Sequence, residues 1–418
     1  MITYLYDCYT VLNKVYKDKT FIKQAISDTF ISERSKSLTV KTCYGVLDRD
    51  EELSYYIKIL APKQPKLSVK TVLKISMYAV KYLGKAPYAV TKNAVELVKK
   101  LGKGGTAGFI NAFLRRFSTE KIDLPEDETL RASVEFSYPL FAVKELKEYF
   151  GIDRTRAVLA ATLDERNKKT CVSFFDGDGE KYLKEAGYNF EATPFKGVFF
   201  AENFLRNEDY DKGVYTFQAI GSVAICENVL PAETLLDCCA APGGKSIRLS
   251  YKCKKVVSFD LYPHRVELIK SYLNRMRRVN VFPEVKDAAV FYPELEEKFD
   301  AVLVDAPCSG LGVAGDNPDI KLNRTKEDVD ELNAMQISIL KTAARYVKKG
   351  GYLYYSTCSI LPRENIAIID KFMSDINGFE IVNCDSPLPH EDIKGTILYL
   401  PDISLGAGFY FAKLKRIN

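Results

Sequence analysis

LLDCCAAPGGK, residues 235–245, decides the fold class. An apolar run ends in Asp237, passes into small residues and two adjacent glycines, and opens a helical pattern at Lys245. Small residues let a ligand approach the backbone, and the first amides of a helix have no partners of their own. Working outward, β-like runs at 256–259, 301–304 and 352–355 alternate with helical patterns at 245–251, 264–276, 326–346 and 363–373. That alternation predicts βα units and a mostly parallel α/β sheet covered on both faces. Two further runs, 396–400 and 408–414, read as an antiparallel hairpin on the sheet edge. The loop carries neither GxGxxG nor the Walker spacing, so the Gly-Gly-Lys-Ser of residues 243–246 is not read as a phosphate loop.

Three acids close strand-like runs: Asp260, Asp287 and Asp305. Ligands of open α/β sheets bind beyond the carboxyl ends of the strands, so a shared site is expected there. A carboxylate after the second strand suits a ribose diol, because it accepts two hydroxyl hydrogens. Cys308, in DAPCSG, and Cys358, in STCS, also lie just past strand ends. A thiolate is the strongest side-chain nucleophile near neutral pH. By contrast, Cys8, Cys43, Cys171, Cys226 and Cys253 suit the ordinary role of a small apolar filler. The two histidines, His264 and His390, lie outside both loops, which argues against a Cys-His hydrolase.

Ahead of the sheet, residues 1–125 read as helices at 5–16, 21–29, 36–47, 68–84, 89–101 and 106–117, with no strand-like alternation between them. EKIDLPED, residues 120–127, reads as a linker. Helical patterns at 139–150 and 153–162, then short β-rich runs at 170–175, 188–193 and 197–204, suggest a small α+β module. The expected division is an all-α domain at 1–125, linker helices and the small mixed module at 126–230, and the α/β domain at 231–418.

The 418 residues are 47% hydrophobic and 28% charged, an ordinary globular composition. No apolar stretch approaches the ~18 residues of a membrane span. The first 14 residues lack the basic flank and apolar core of a signal peptide. Ten cysteines without a CxxC pair disfavour a metal site or a disulfide framework, and a cytoplasmic location is expected. The net charge of +5 conceals an asymmetry, since residues 1–120 carry +11 and the remainder −6. Residues 53–103 hold 11 basic side chains and one acid, Glu96. At about 100° per residue, Lys70, Lys74, Lys81 and Lys85 fall within an arc of roughly 60° on a helix whose other face is apolar. This predicts salt-sensitive contact with nucleic-acid phosphates, to which Arg115 and Arg116 are added as candidates.

DAPCSGLGV with NPDIK (305–321), YSTCS with ENIAI (355–368) and the CCAAPGGK loop together resemble the RNA (cytosine-5) methyltransferases. YGVLDRD (44–50), AVELVKK (94–100) and FINAFLRRF (109–117) are similar to the helical NusB-type domain of one subgroup, the bacterial 16S rRNA methyltransferases of the Sun/Fmu type. The ending GFYFAKLKR (408–416) matches as well. The resemblance implies an all-α NusB-like N-terminal domain and a C-terminal Rossmann-like domain that uses S-adenosylmethionine to methylate C5 of a cytidine in 16S ribosomal RNA. It assigns Cys239, Ala240, Ala241, Pro242, Gly243, Gly244 and Lys245 to the cofactor loop and Asp260 to the ribose. It further puts Asp287 near the adenine, Asp305 in the site, Cys358 as the nucleophile and Cys308 as the cysteine that assists product release. The two cysteine roles can be exchanged, since DNA cytosine methyltransferases use the cysteine of a Pro-Cys pair. A transfer RNA substrate, or an RNA-binding factor without catalysis, are the alternative readings. A monomer is expected. The chain departs from the family pattern at Gln218-Ala219, Cys171-Val172-Ser173, Ala314-Gly315-Asp316, Leu322 and Arg277, all read as RNA-facing or supporting positions.

Overall fold

The computed structural model describes residues 2–167 and 169–418. They form two compact units, one running to Leu159 and including Ala314–Thr325, the other made of Ala160–Val313 and Lys326–Asn418.

The first unit is helical: α1 (Ile2–Asp18), α2 (Ile22–Ser27), α3 (Lys36–Asp48), α4 (Asp50–Leu60), α5 (Leu67–Lys81), α6 (Pro87–Lys100), α7 (Ala107–Thr119), α8 (Glu128–Glu135) and α9 (Leu140–Phe150), with α10 (Ile152–Leu163) carrying the chain out of it. Apolar residues at helical spacing build its core, among them Val11, Leu12, Val46, Leu53, Ile57, Leu73, Leu97, Ile110 and Phe113. Sequence reading assigns no helix to 50–60, because α3 passes into α4 through Arg49 with no glycine or proline between them. Nor does it find α8, whose first turn is capped by Asp127 accepting from the Leu130 amide at 2.7 Å.

The expected divisions at 125 and 230 do not coincide with these units. The Glu52 amide donates to Ser137 Oγ at 3.2 Å and Arg49 to the Glu135 carbonyl at 3.3 Å, which tie the segment after 125 to α4. Residues 314–325, expected within the α/β domain, also pack here. The Ile22 amide donates to Asp319 Oδ2 at 3.2 Å, Lys321 Nζ donates to the Asp48 carbonyl at 3.1 Å, and Leu322 lies against the helical core. The NPDIK motif is thus a buried anchor of the helical unit.

In the second unit a small antiparallel sheet, ordered β2-β3-β1-β4, comprises β1 (Thr170–Ser173), β2 (Phe190–Ala192), β3 (Val198–Ala201) and β4 (Thr216–Phe217). Short helices α11 (Gly179–Glu185) and α12 (Glu208–Asp211) accompany it, and α13 (Ile220–Asn228) leads to the main sheet. There β5 (Ala232–Asp237), α14 (Gly244–Leu249), β6 (Cys253–Asp260), α15 (Pro263–Met276), β7 (Val281–Val285), β8 (Phe299–Asp305), α16 (Lys326–Ala344), β9 (Val347–Thr357) and α17 (Ile366–Asp375) alternate as expected. β10 (Phe379–Ile381), β11 (Glu391–Ile393), β12 (Thr396–Tyr399) and β13 (Phe409–Arg416) complete it.

The sheet order is β11-β12-β13-β9-β8-β5-β6-β7, with β10 also on β13. Strands β7, β6, β5, β8 and β9 are mutually parallel. Strand order reverses between β5 and β8, which opens a crevice at their carboxyl ends. β12 and β13 pair antiparallel as expected, but β13 lies inside the sheet against β9, and β11 extends the sheet beyond β12.

Among the departures, Ser173 is buried and accepts from Arg248 Nη2 at 2.7 Å. Gln218 Oε1 accepts from Arg248 Nε at 2.9 Å, so both serve to join the small sheet to α14 rather than to face outward. Arg277 ends α15 at φ 52°, ψ 39°, in the left-handed region that favours glycine.

Candidate active site

The site grows from the ends of β5, β6, β8 and β9. After β5 the chain runs through Cys238, Cys239, Ala240, Ala241 and Pro242 to Gly243, which caps α14 at φ +107°. A side chain there would be strained, and its Cβ would lie 3.3 Å from Ile269. At Gly244 a Cβ would touch the Gln218 amide and the Tyr272 ring at 4.0 Å, an ordinary van der Waals contact. The Ala240 amide donates to the Phe259 carbonyl at 2.8 Å, holding the loop to β6.

Asp260, almost fully buried at the end of β6, accepts from the Ala241 and Tyr262 amides, both at 3.3 Å. Arg265, which sequence reading does not single out, lies 3.4 Å from the same carboxylate and 3.3 Å from the Ala241 carbonyl. Asp287 turns its Oδ1 to the Ala289 amide at 2.9 Å. Under the loop, Ser246 Oγ donates to the buried Asp237 at 2.6 Å. Burial raises the Asp237 carboxyl to about 7.

Asp305 and Lys245 form a pair at 2.8 Å, and Ser356 donates to the other Asp305 oxygen at 2.7 Å. Burial works against the Lys245 ammonium, but the Asp305 charge and hydrogen bond, together with Cys226 and Cys358, outweigh it and hold the amine above its ordinary pKa. Asp305 is thus anchored on both oxygens at the crevice.

Cys308 and Cys358, 50 positions apart in sequence, meet with their sulfurs 3.2 Å apart. The pair is asymmetric. A hydrogen bond from Cys308 lowers the Cys358 pKa below the ordinary thiol value, against burial and the Asp305 charge, with Lys245 assisting. The same hydrogen bond, together with burial, pushes Cys308 well up. Of the two, Cys358 is the sulfur that gives up its proton first, and Cys308 the one that keeps it. Cys239 is a neutral thiol, raised by burial and by Asp237, Asp305 and Asp260.

Sequence reasoning passes over Glu364, the buried carboxylate behind these cysteines. It accepts from the Ser309 amide at 2.7 Å, from Ser309 Oγ at 2.6 Å, from Ser359 Oγ at 2.5 Å and from Gln336 Nε2 at 3.1 Å. The signal available in the sequence is the repeated Cys-Ser dipeptide, at 308–309 and 358–359, followed by a glutamate.

The expected phosphate contacts separate into two groups. Lys74 is a correction: its ammonium is buried against Asp50 at 2.6 Å, so it closes a core ion pair. Lys81 likewise pairs with Glu52 at 2.5 Å, over the Tyr56 ring, and Arg116 is held by Glu120 at 2.6 Å and by the Leu60 carbonyl at 2.7 Å. The acids of α4, close in space but remote in sequence, capture the two lysines. Lys85 and Arg115 are exposed, and Lys70 is half-buried.

Residues 224–415 match the family described as 16S rRNA methyltransferase RsmB/F, and residues 3–119 match the NusB family. The chain is 31% identical to the probable ribosomal RNA small subunit methyltransferase B of Bacillus subtilis (strain 168), over 97% of this chain and 95% of that protein. It is 27% identical to ribosomal RNA small subunit methyltransferase B of Escherichia coli O139:H28, over 92% of each. In fold it is similar to the crystal structure of PH0851, with a TM-score of 0.83 at 22% identity over 100% of this chain and 99% of that one. With a NusB domain preceding a methyltransferase sheet and a relative matched along nearly its whole length, this chain belongs to the RsmB/F family of S-adenosylmethionine-dependent rRNA methyltransferases.

Proposed function

We propose that the enzyme methylates C5 of a cytidine in 16S ribosomal RNA through a covalent adduct on Cys358. The observation that carries this reading is the 3.2 Å sulfur pair, in which one thiol is depressed and the other raised, beside an anchored carboxylate. Cytosine C5 is a poor nucleophile until a thiolate adds to C6. Cys358 is the better placed of the two cysteines for that addition, because its thiolate is stabilised by the Cys308 thiol and by Lys245. Addition forms an S–C6 bond and moves an electron pair toward C5.

The residues around the crevice fit the cofactor. Asp260 uses its oxygens for two long amide contacts and retains lone pairs for a ribose diol. The loop at 239–244 is built of small residues, and at Gly243 a positive φ of 107° favours glycine. Cys239, Ala240, Ala241, Pro242, Gly243 and Gly244 would line S-adenosylmethionine on one side, with Asp260 at the ribose and Asp287 near the base. When bound, it supplies an electrophilic methyl group for C5. Asp305 accepts from the cytosine N4 amino group and so orients the ring over the cysteines. A base takes the C5 proton, the C5–H electron pair restores the C5–C6 double bond, and the S–C6 bond breaks with its pair leaving on Cys358 as a thiolate. Cys308 assists release by donating its S–H hydrogen bond to that departing sulfur. The target base must leave its stack to reach this crevice. Lys85, Arg115 and Lys70 of the helical unit contact RNA phosphates.

The test is transfer from methyl-labelled S-adenosylmethionine to unmodified 16S rRNA, to assembling small subunits and to transfer RNA, with digestion to identify 5-methylcytidine. Cys358→Ala abolishes transfer, and Cys308→Ala accumulates a protein–RNA adduct that survives denaturing electrophoresis. Full activity of Cys358→Ala overturns the nucleophile assignment, and label in transfer RNA alone overturns the substrate.

A further inference from the structure

Two loops carry the reactive sulfurs, and each follows its cysteine with a serine. The two serines are wired alike. Ser309 Oγ donates to Glu364 Oε2 at 2.6 Å and accepts from the Leu311 amide, two residues on, at 3.3 Å. Ser359 Oγ donates to the same Oε2 at 2.5 Å and accepts from the Leu361 amide, again two residues on, at 3.1 Å. The other carboxylate oxygen receives the Ser309 amide and Gln336 Nε2, and the same Gln336 nitrogen also donates to the Pro307 carbonyl. Glu364 is fully buried, and all four of its partners are donors. An acceptor-only carboxylate satisfies that set; a neutral amide of the same shape does not, because it would turn an NH₂ group toward donors.

We infer that Glu364 is a positioning residue that clamps the Cys308 and Cys358 loops together and so sets the sulfur–sulfur hydrogen bond on which the Cys358 nucleophile depends. The inference rests on the proposed role of Cys358. Its own readout is thiol reactivity, which needs neither RNA nor cofactor. With the clamp intact, Cys308 and Cys358 share a hydrogen bond across 3.2 Å. Loosening either loop lengthens that contact and withdraws the main influence that favours the Cys358 thiolate.

The experiment measures iodoacetamide alkylation of the full-length enzyme between pH 6 and 10, with Cys358 followed by peptide mass spectrometry. Glu364→Gln moves the Cys358 alkylation midpoint to higher pH and lowers kcat on the order of 10²-fold, with KM for S-adenosylmethionine little changed. Glu364→Asp, which keeps the charge, recovers part of both. Should Glu364→Gln fail to fold, as judged by circular dichroism, Ser359→Ala serves instead, since it frees only the Cys358 loop; the same upward shift of the midpoint is expected. An unshifted midpoint in a folded variant overturns the inference, even if stability is reduced, because a purely structural role lowers melting temperature without moving the titration. The parent reading fails separately: Cys358→Ala that still transfers methyl groups removes the nucleophile while leaving the alkylation result standing as chemistry of the cysteine pair.

Discussion

Replacing Lys74 by methionine distinguishes a lysine that binds RNA from one that holds the helical core. Lys74 Nζ lies 2.6 Å from Asp50 Oδ1, and both side chains are 9% exposed. The Tyr16 hydroxyl donates to the same oxygen at 2.5 Å, and the ammonium sits 4.8 Å from the centroid of the Tyr16 ring. Methionine keeps the apolar stem but removes the charge, so Asp50 retains one donor and loses its counter-ion. Breaking a buried pair from one side costs about 3–5 kcal/mol. For a unit of this size each kcal/mol is about 2–4 °C in Tm, so the transition of the helical unit falls by roughly 6–20 °C. Calorimetry of the full-length protein measures it. RNA binding, followed by fluorescence anisotropy at 10 °C across a salt series, supplies the second arm. The slope of log K against log salt is unchanged in Lys74→Met, whereas Lys85→Ala flattens it by about 0.7–0.9, the value of one phosphate contact. A Tm change under about 3 °C together with a flattened slope would refute the reasoning, because it would mean that the ammonium faces phosphate and not Asp50.

Gly312→Ala puts a Cβ 2.0 Å from the Gly408 carbonyl oxygen and 2.8 Å from that of Cys358, both main-chain atoms, and the Gly312 amide donates to the same Cys358 carbonyl at 2.9 Å. Overpacking of this kind costs at least about 1–3 kcal/mol, so both the melting temperature of the second unit and the single-turnover rate fall; an unchanged melting curve contradicts the packing. Asp237, raised to about 7 by burial, holds a proton in the folded state that the unfolded chain releases near pH ~4. Stability therefore declines as pH rises from about 4 through 7, and Asp237→Asn gains on the parent between pH 5 and 8 in urea unfolding; an equal difference at both pH values counts against it. Asp305→Asn removes the main group that opposes burial at Lys245, so the amine gives up its proton at lower pH and its labelling by trinitrobenzenesulfonate at pH 8 increases; unaltered labelling argues against the pair.

Why the α/β half was so readable is a matter of local chemistry. A buried parallel strand must be apolar along its length, a ligand loop must be small, and a nucleophile must be a particular residue type. Leu235 and Leu236, the loop at 239–244, Asp305 and the two cysteines therefore announce themselves within a few positions of chain. α4 and α8 stayed hidden for the converse reason: their boundaries depend on where the chain packs, and Arg49 between α3 and α4 carries no signal of a break.

By itself the sequence determined the helical and βα halves and most of their elements, because these are written in period, composition or residue type at short range. Only the tertiary structure decided which charges are available and which groups meet. It buried Lys74 on Asp50 and drew Lys81 to Glu52, acids more than 20 residues away, where the helical wheel had left a basic stripe. It placed NPDIK in the helical unit through Asp319 and Lys321. It also brought Cys308 within 3.2 Å of Cys358, set Glu364 behind both, and left the Cys358 thiol below its ordinary pKa through the hydrogen bond from Cys308. Pairing energies and pKa values depend on distances through space and on exclusion of water, and neither is a property of neighbouring residues in a chain.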